Sequence, residues 1–148
     1  SQIDCNKLIT KVKNDLDKKI AEANATVTVN MLPTIKGYET PLRLLFQNLI
    51  SNGIKFRRRN VNPSIEITAR LRNDGYLFMV KDNGIGISAN HQEKIFEIFK
   101  RLHSKDEYDG SGIGLAHCRK IVDLHEGNIW VDSELCNGST FYFTIKTV

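Results

Sequence analysis

Two short glycine-rich signatures in a fixed order constrain this chain more than any other feature: Asp82-Asn83-Gly84-Ile85-Gly86 and Gly110-Ser111-Gly112-Ile113-Gly114. Glycines spaced this way let the backbone approach a bulky anionic ligand closely and leave its amide donors unobstructed. The first signature follows an apolar run that reads as a strand, and the second opens a helix. Upstream stand two asparagines, Asn48 and Asn52, with Lys55 three residues beyond the second. They offer an oxygen ligand for a metal and a fixed positive charge. Taken singly, each element is equally what an ordinary turn, a helix start or a hydrated lysine looks like. In this order they read as a nucleotide pocket.

The apolar pattern supplies the scaffold for that pocket. Cys5, Leu8, Ile9, Val12, Leu16, Ile20 and Ala23 recur every three or four residues behind a candidate N-cap, Asp4, which predicts an amphipathic helix over residues 4 to 23. A short strand is expected from Val27 to Met31. Thr40 and Pro41 read as N-cap and first helical position of a helix running to about Phe56, with Leu42, Leu45, Phe46, Leu49 and Gly53 as its core stripe. Asn48, Asn52 and Lys55 share another stripe, about 120° away at roughly 100° per residue, and so face ligand or water.

Ile65, Ile67, Ala69 and Leu71 alternate with polar residues up to the turn signal Asn73-Asp74-Gly75, which predicts a hairpin over residues 64 to 82. Tyr76 to Val80 is apolar on both faces, as a central strand would be, and delivers Asp82 at its end. A short helix is expected over 89 to 95, then a long connection over 96 to 111 that reads as a lid. A helix from Gly112 to about Leu124 is stopped by Gly127. Asn128 to Ser133 and Ser139 to Val148 pair through a turn near Asn137-Gly138. The expected architecture is α+β: a two-layer sandwich of helices on one face of a mixed, mainly antiparallel sheet, over a single domain, 1 to 148.

Composition excludes several classes. The net charge of +4 has its densest patch at Lys55-Phe56-Arg57-Arg58-Arg59, which lacks the interleaved aromatic residues of a single-strand binder, so no nucleic-acid partner is expected. Three scattered cysteines, Cys5, Cys118 and Cys136, fit neither a disulfide framework nor a zinc site, and point to a reducing, cytoplasmic setting. No apolar run approaches the about 18 residues of a membrane span, so direct membrane contact is not expected, although a parent protein could be anchored. His91, His103, His117 and His125 lack partners at metal-ligand spacing and read as surface or structural residues. No serine sits in a GxSxG elbow.

The chemistry then divides by position. Asp82 at a strand end is either a turn-forming aspartate or an acceptor for the exocyclic amine of adenine; guanine presents a carbonyl there and would be refused. Gly84 and Gly86 clear room for the base. Gly110 to Gly114 bring free amides and the positive end of a helix dipole to phosphate. Asn52 with phosphate oxygens would suffice for magnesium, an oxygen-seeking ion that keeps several waters.

These residues resemble the catalytic, ATP-binding domain of sensor histidine kinases, within the wider group of Bergerat-fold (GHKL) ATPases that includes type II topoisomerases and heat-shock chaperones. The likeness covers essentially the whole chain. Asn48 to Phe56 is similar to the family's N box, Asp82 to Gly86 to its first glycine box, Ile95-Phe96-Glu97-Ile98-Phe99 to its F box, Gly110 to Ala116 to its second glycine box and Asn137 to Phe141 to a third. Arg101 to Tyr108 resembles the lid of phytochrome-like kinases. The resemblance implies ATP and Mg2+ as cofactors, with Asn52 as metal ligand, Lys55 as phosphate contact, and Phe56 and Asp82 at adenine. Asn48, Ile85, Ile87, Ile113 and Leu115 belong to the same boxes. Phe96 and Phe99 would anchor the lid, Arg101 and Ser111 would face phosphate, and Ser139 would support the base through water.

Three departures qualify the likeness. Asn48 stands where the topoisomerase and chaperone branch has a water-activating glutamate, and it cannot act as a base near neutral pH, so slow hydrolysis is expected. Cys136 and Glu126 occupy places often filled by glycine. No histidine has the phosphoacceptor setting, so the chain is expected to donate the γ-phosphate to a histidine-bearing dimerisation domain outside it, to serve a response regulator indirectly, and to be monomeric. An ATP-gated conformational ATPase and a non-enzymatic nucleotide-sensing module stay open as alternatives.

Overall fold

The computed structural model describes residues 1–92, 94–96 and 113–147, with Ile113 described by its backbone alone. Strand β1 (Gln2–Asp4) leads into helices α1 (Cys5–Asp15) and α2 (Asp17–Ala23), followed by β2 (Thr26–Val29), β3 (Thr34–Lys36) and helix α3 (Glu39–Lys55). The hairpin β4 (Ser64–Arg72) and β5 (Gly75–Asp82) comes next, then α4 (Ile113–Leu124), β6 (Ile129–Ser133) and β7 (Ser139–Lys146). The sheet order is β2-β4-β5-β7-β6, parallel between β2 and β4 and antiparallel elsewhere. The all-apolar run of β5 thus lies at the centre, as its two-sided hydrophobicity predicts.

One face of the sheet meets the helices. Phe46 of α3 sets its ring edge against Phe78 and Phe143 at 5.9 and 5.5 Å, and those two rings stack on each other at 5.0 Å. The predicted α3 stripe is buried in full, and Ile50 and Ile54 extend it. The opposite sheet face carries Trp130 stacked on Tyr142 at 5.4 Å, with Trp130 exposed.

Several local expectations are corrected. The helix over 4 to 23 is two helices. Asp4 caps the first as predicted, its Oδ1 accepting from the amides of Asn6 (2.9 Å) and Lys7 (3.5 Å). At Leu16 (φ −104°, ψ 11°) the chain leaves helical geometry, and the short helix beyond it buries no side chain. The turn keeps Leu16 in the core and leaves Asp15 where Arg43 Nε, Arg43 Nη2 and Gln47 Nε2 all donate to its carboxylate, at 2.6, 2.5 and 2.6 Å. Helix α3 starts before Thr40 and Pro41. Its N-cap is Tyr38, whose side chain caps nothing. Pro41 still costs no hydrogen bond, because the first four amides of a helix have no partner within it.

Residues 89–92, 94 and 95 make turns rather than a helix. The amides of His91 and Lys94 donate to the carbonyls three residues back, Ser88 and His91, both at 3.0 Å. Gly127 does not supply the left-handed residue after α4. Glu126 does, at φ 58°, while the amide of Gly127 closes on Val122 O at 3.0 Å. Glycine is required at 127 for another reason: a Cβ there would lie 1.7 Å from Thr144 O. The strands β1 and β3, which pair with each other, were not foreseen at all.

Candidate functional site

The registers of β4, β5, β7 and β6 bring Ile65, Asp82, Ser139 and Ser133 into one row across the sheet. At this end lies a cavity of about 350 Å³ including its open mouth, lined by Asn52, Phe56, Asp82, Ile85, Gly86, Ile87, Leu115, Ser139 and Phe141. The lining is apolar apart from the side chains of Asn52, Asp82 and Ser139.

Asp82 Oδ1 accepts from the amides of Gly84 (2.9 Å) and Ser139 (3.3 Å), and among the described residues Oδ2 has no partner. Burial holds the carboxyl above the ordinary aspartate range, and those two amides partly offset it. A half-buried acceptor with one oxygen tied down and one free can take a directed hydrogen bond from a donor edge.

The glycines beside it do a second job besides the one expected. A Cβ at Gly84 would lie 2.6 Å from Phe56 O, and one at Gly86 (φ +77°) would lie 2.0 Å from Glu134 O. The smallness of both residues therefore also closes the loop on to neighbouring backbone, and Gly86 lines the cavity as well. Ile85 completes the closure: its amide donates to Phe56 O at 2.9 Å, and its carbonyl accepts from Cys136 N at 2.6 Å.

The polar stripe of α3 divides. Asn52 lines the cavity, and among the described residues its side chain makes no hydrogen bond, which leaves a carbonyl oxygen available to a hard cation. Lys55 lines a separate groove with Lys19, Glu22, Ala23, Ser51, Ile54 and Arg57, and has no ion pair among the described residues. Asn48 turns towards α4, its Nδ2 donating to Gly114 O at 3.4 Å. Leu115 is buried one residue on. Phe96 is buried with its ring perpendicular to Phe141 at 6.1 Å.

Three supporting residues escaped the sequence reading. Ser133 Oγ accepts from Ile87 N (2.7 Å), donates to Gly138 O (2.8 Å) and meets Ser139 Oγ (2.8 Å). Gln92 Nε2 donates to the carbonyls of Ile87 (3.0 Å) and Ser133 (2.8 Å). Arg58 Nε donates to Asn83 O at 2.9 Å, which holds the basic segment over the first glycine loop. Only the position of Ser133 opposite Ser139 across a predicted hairpin could have signalled its role. Phe99, Arg101, Gly110, Ser111 and Gly112 lie outside the described residues, as does His103, and Ile113 is placed only as the first residue of α4. Of the other histidines, His91 and His117 are exposed and His125 is buried, bonded through both ring nitrogens to Ile121 O and Tyr38 N.

Known proteins share both sequence and shape. The family described as histidine kinase-, DNA gyrase B- and HSP90-like ATPase matches residues 37–148. Cyanobacterial phytochrome A of Nostoc sp. is 50% identical over 139 residues, covering 94% of this chain and 18% of that protein. Phytochrome-like protein Cph1 of Synechocystis sp. is 44% identical over 142 residues, covering 96% of this chain and 19% of its own length. The chain thus spans about a fifth of these relatives. The catalytic domain of histidine kinase ThkA superposes with a TM-score of 0.83 at 28% identity, over 99% of this chain and 95% of that one. Full-length ShkA in complex with AMPPNP gives 0.83 at 26%, over 100% of this chain and 31% of that one. The open-mouthed cavity at Asp82 therefore sits in a chain that belongs to the histidine kinase-, DNA gyrase B- and HSP90-like ATPase family, as a catalytic ATPase domain of the histidine kinase kind.

Proposed function

We propose that residues 1–148 form one catalytic domain that binds Mg-ATP and donates its γ-phosphate to a histidine on a separate dimerisation domain, from which a response regulator is served. The observation that carries this reading is Asp82: one carboxylate oxygen fixed by two amides, the other without a partner among the described residues, at the edge of an apolar cavity. A free carboxylate oxygen accepts the exocyclic amine of adenine and repels the carbonyl of guanine. Phe56, Ile87 and Phe141 supply apolar walls for a flat base. Asn52, whose side chain has no hydrogen bond among the described residues, would hold magnesium, which neutralises phosphate charge when bound. Lys55, one turn on along α3 but lining a separate groove, would swing across to add charge at the phosphate end, which we assign to the amides at the start of α4. Arg101 and Ser111 are assigned to the same end by their place in the motifs alone.

Phosphoryl transfer needs positioning and charge neutralisation more than a protein nucleophile, and this set of groups suits that demand. Asn48 supplies no base for hydrolysis. Titration calorimetry with ATP, ADP and GTP, with and without magnesium, is expected to rank ATP and ADP above GTP and to tighten ATP with the metal. Adding a purified histidine-bearing dimerisation domain is then expected to yield phosphohistidine. Nucleotide binding without transfer to any such domain would overturn the kinase reading, and rapid turnover without an acceptor would replace it with an ATP-gated clamp.

A further inference from the structure

Helices α3 and α4 run side by side, and the contact nearest the second glycine signature is polar. Asn48, in the middle of α3, places its Nδ2 3.4 Å from Gly114 O, and its Oδ1 lies 3.7 Å from where a Cβ on Gly114 would stand. One helical turn along α4 stands Cys118, whose thiol the Asn48 amide pulls back towards the ionised form against the effect of burial. Cys118 is fully buried, and burial pushes its thiol up to about 12, so the sulfur stays a neutral acceptor at any physiological pH. An asparagine NH2 group has two donors, so the amide that donates to Gly114 O keeps a second N–H for a sulfur four residues on along the same helix face.

We propose that Asn48 and Cys118 are a positioning pair: the Asn48 amide, seated on Gly114 O and Cys118 Sγ, clasps the first turn of α4 to α3 and so sets where the amides at the start of α4 stand relative to Asn52. Neither residue is a catalytic residue in this role. The clasp deepens the function proposed above and rests on its placing of phosphate at that helix start. It also gives residue 48 a task that an ionised glutamate cannot perform. A carboxylate there would face the Gly114 carbonyl with no donor to offer, so asparagine at this position serves helix placement as well as the absence of a general base.

The test compares binding of adenosine, which reads only the base end, with binding of ADP, which also reads the phosphate end, by titration calorimetry on the whole chain. Asn48→Asp and Cys118→Val are expected to weaken ADP about three- to tenfold, the span of one or two lost hydrogen bonds, and to leave adenosine within twofold. Cys118→Ser, which keeps an acceptor at the same place, is expected to restore most of the ADP affinity. Equal losses for adenosine and ADP, or ADP binding unchanged in both variants, would overturn the clasp while leaving nucleotide binding intact. Failure of the unmodified chain to bind either ligand would instead remove the proposed function, and the clasp with it. Should Cys118→Val unfold, Asn48→Asp decides alone, its folding checked by circular dichroism. The S–H stretching band isolated by subtracting the Cys118→Val infrared spectrum is expected to shift when Asn48 becomes Ala, which a merely space-filling Cys118 would not do.

Discussion

The two ends of the cavity are built by different means. Around Asp82 the chain closes on itself through backbone: Ile85 exchanges hydrogen bonds with Phe56 and Cys136, and Gly84 and Gly86 lie against carbonyls that leave no room for a Cβ. At the start of α4 the hydrogen bonding to α3 among the described residues runs through one side-chain amide, and Gly114 has ordinary space beside it. Backbone closure fixes a directional acceptor, which suits recognition of a base. A side-chain contact leaves a helix start freer to adjust than backbone closure does, which suits the phosphate binding proposed for that end.

Glycine-to-alanine substitution breaks this contrast most sharply. Gly86→Ala forces a Cβ to within 2.0 Å of Glu134 O at φ +77°, so backbone must move, and a loss of more than about 3 kcal/mol is expected in urea unfolding. Gly114→Ala at the other end meets nothing closer than 3.7 Å among the described residues and lies in a helix, so it is expected to be neutral or to gain up to about 1 kcal/mol. Comparable losses at both positions would erase the distinction between the two ends.

Asp82→Asn separates recognition from stability within the base end. The substitution removes the charged acceptor and is expected to cost about 10- to 100-fold in ATP affinity by calorimetry. The sign for stability is opposite. Because burial raises the carboxyl above its unfolded value, the native state holds the proton more tightly, and stability falls as pH rises from the unfolded pKa through the folded one. Asp82→Asn without nucleotide is therefore expected to be more stable than the parent chain at pH 7, with the difference vanishing below the ordinary aspartate value of 3.8. A variant less stable at pH 7 would mean that the two amide bonds to Oδ1 outweigh the burial of its charge.

Ser133→Ala probes the side-chain part of the same end. It strips partners from Ile87 N, Gly138 O and Ser139 Oγ at once, and an expected loss of about 1–3 kcal/mol in urea unfolding follows from leaving such groups unpaired. A loss below about 0.5 kcal/mol would mean that water replaces the hydroxyl, and that backbone alone holds the loop.

What could be read from the sequence follows the same division. Long apolar periodicities told α3, the β4–β5 hairpin and the central place of β5, because burial on one or two faces leaves a pattern over many residues. Asp82, Asn52 and Phe56 were legible as cavity residues because motif order and strand ends placed them. Three-residue strands such as β1 and β3 carry too few residues for a period. The break at Leu16 is silent because the apolar spacing runs straight through it. The task of Gly84 and Gly86 depends on which carbonyls the fold brings against them, and the role of Ser133 on what lies across a hairpin. The direction of Asn48 was misread for a related reason: its stripe faces away from the core of α3, but α4 packs there.

The smallest expected effects concern the two departures from glycine. Cys136 (φ 70°) and Glu126 (φ 58°) both hold the left-handed conformation, which costs a residue with a Cβ about 1 kcal/mol or more. Cys136 sits in the base-end closure, donating its amide to Ile85 O, whereas Glu126 ends α4. Relief of backbone strain in Cys136→Gly and Glu126→Gly is partly cancelled by the greater freedom of glycine in the unfolded chain, so each is expected to gain at most about 1 kcal/mol in urea unfolding. Their ligand readouts should differ. Tightening the turn beneath Ile85 and Gly86 is expected to alter adenosine affinity by up to about twofold, while easing the far end of α4 leaves it unchanged. Were Glu126→Gly to shift adenosine and Cys136→Gly not, the base end would owe its shape to helix packing rather than to the backbone closure at Ile85.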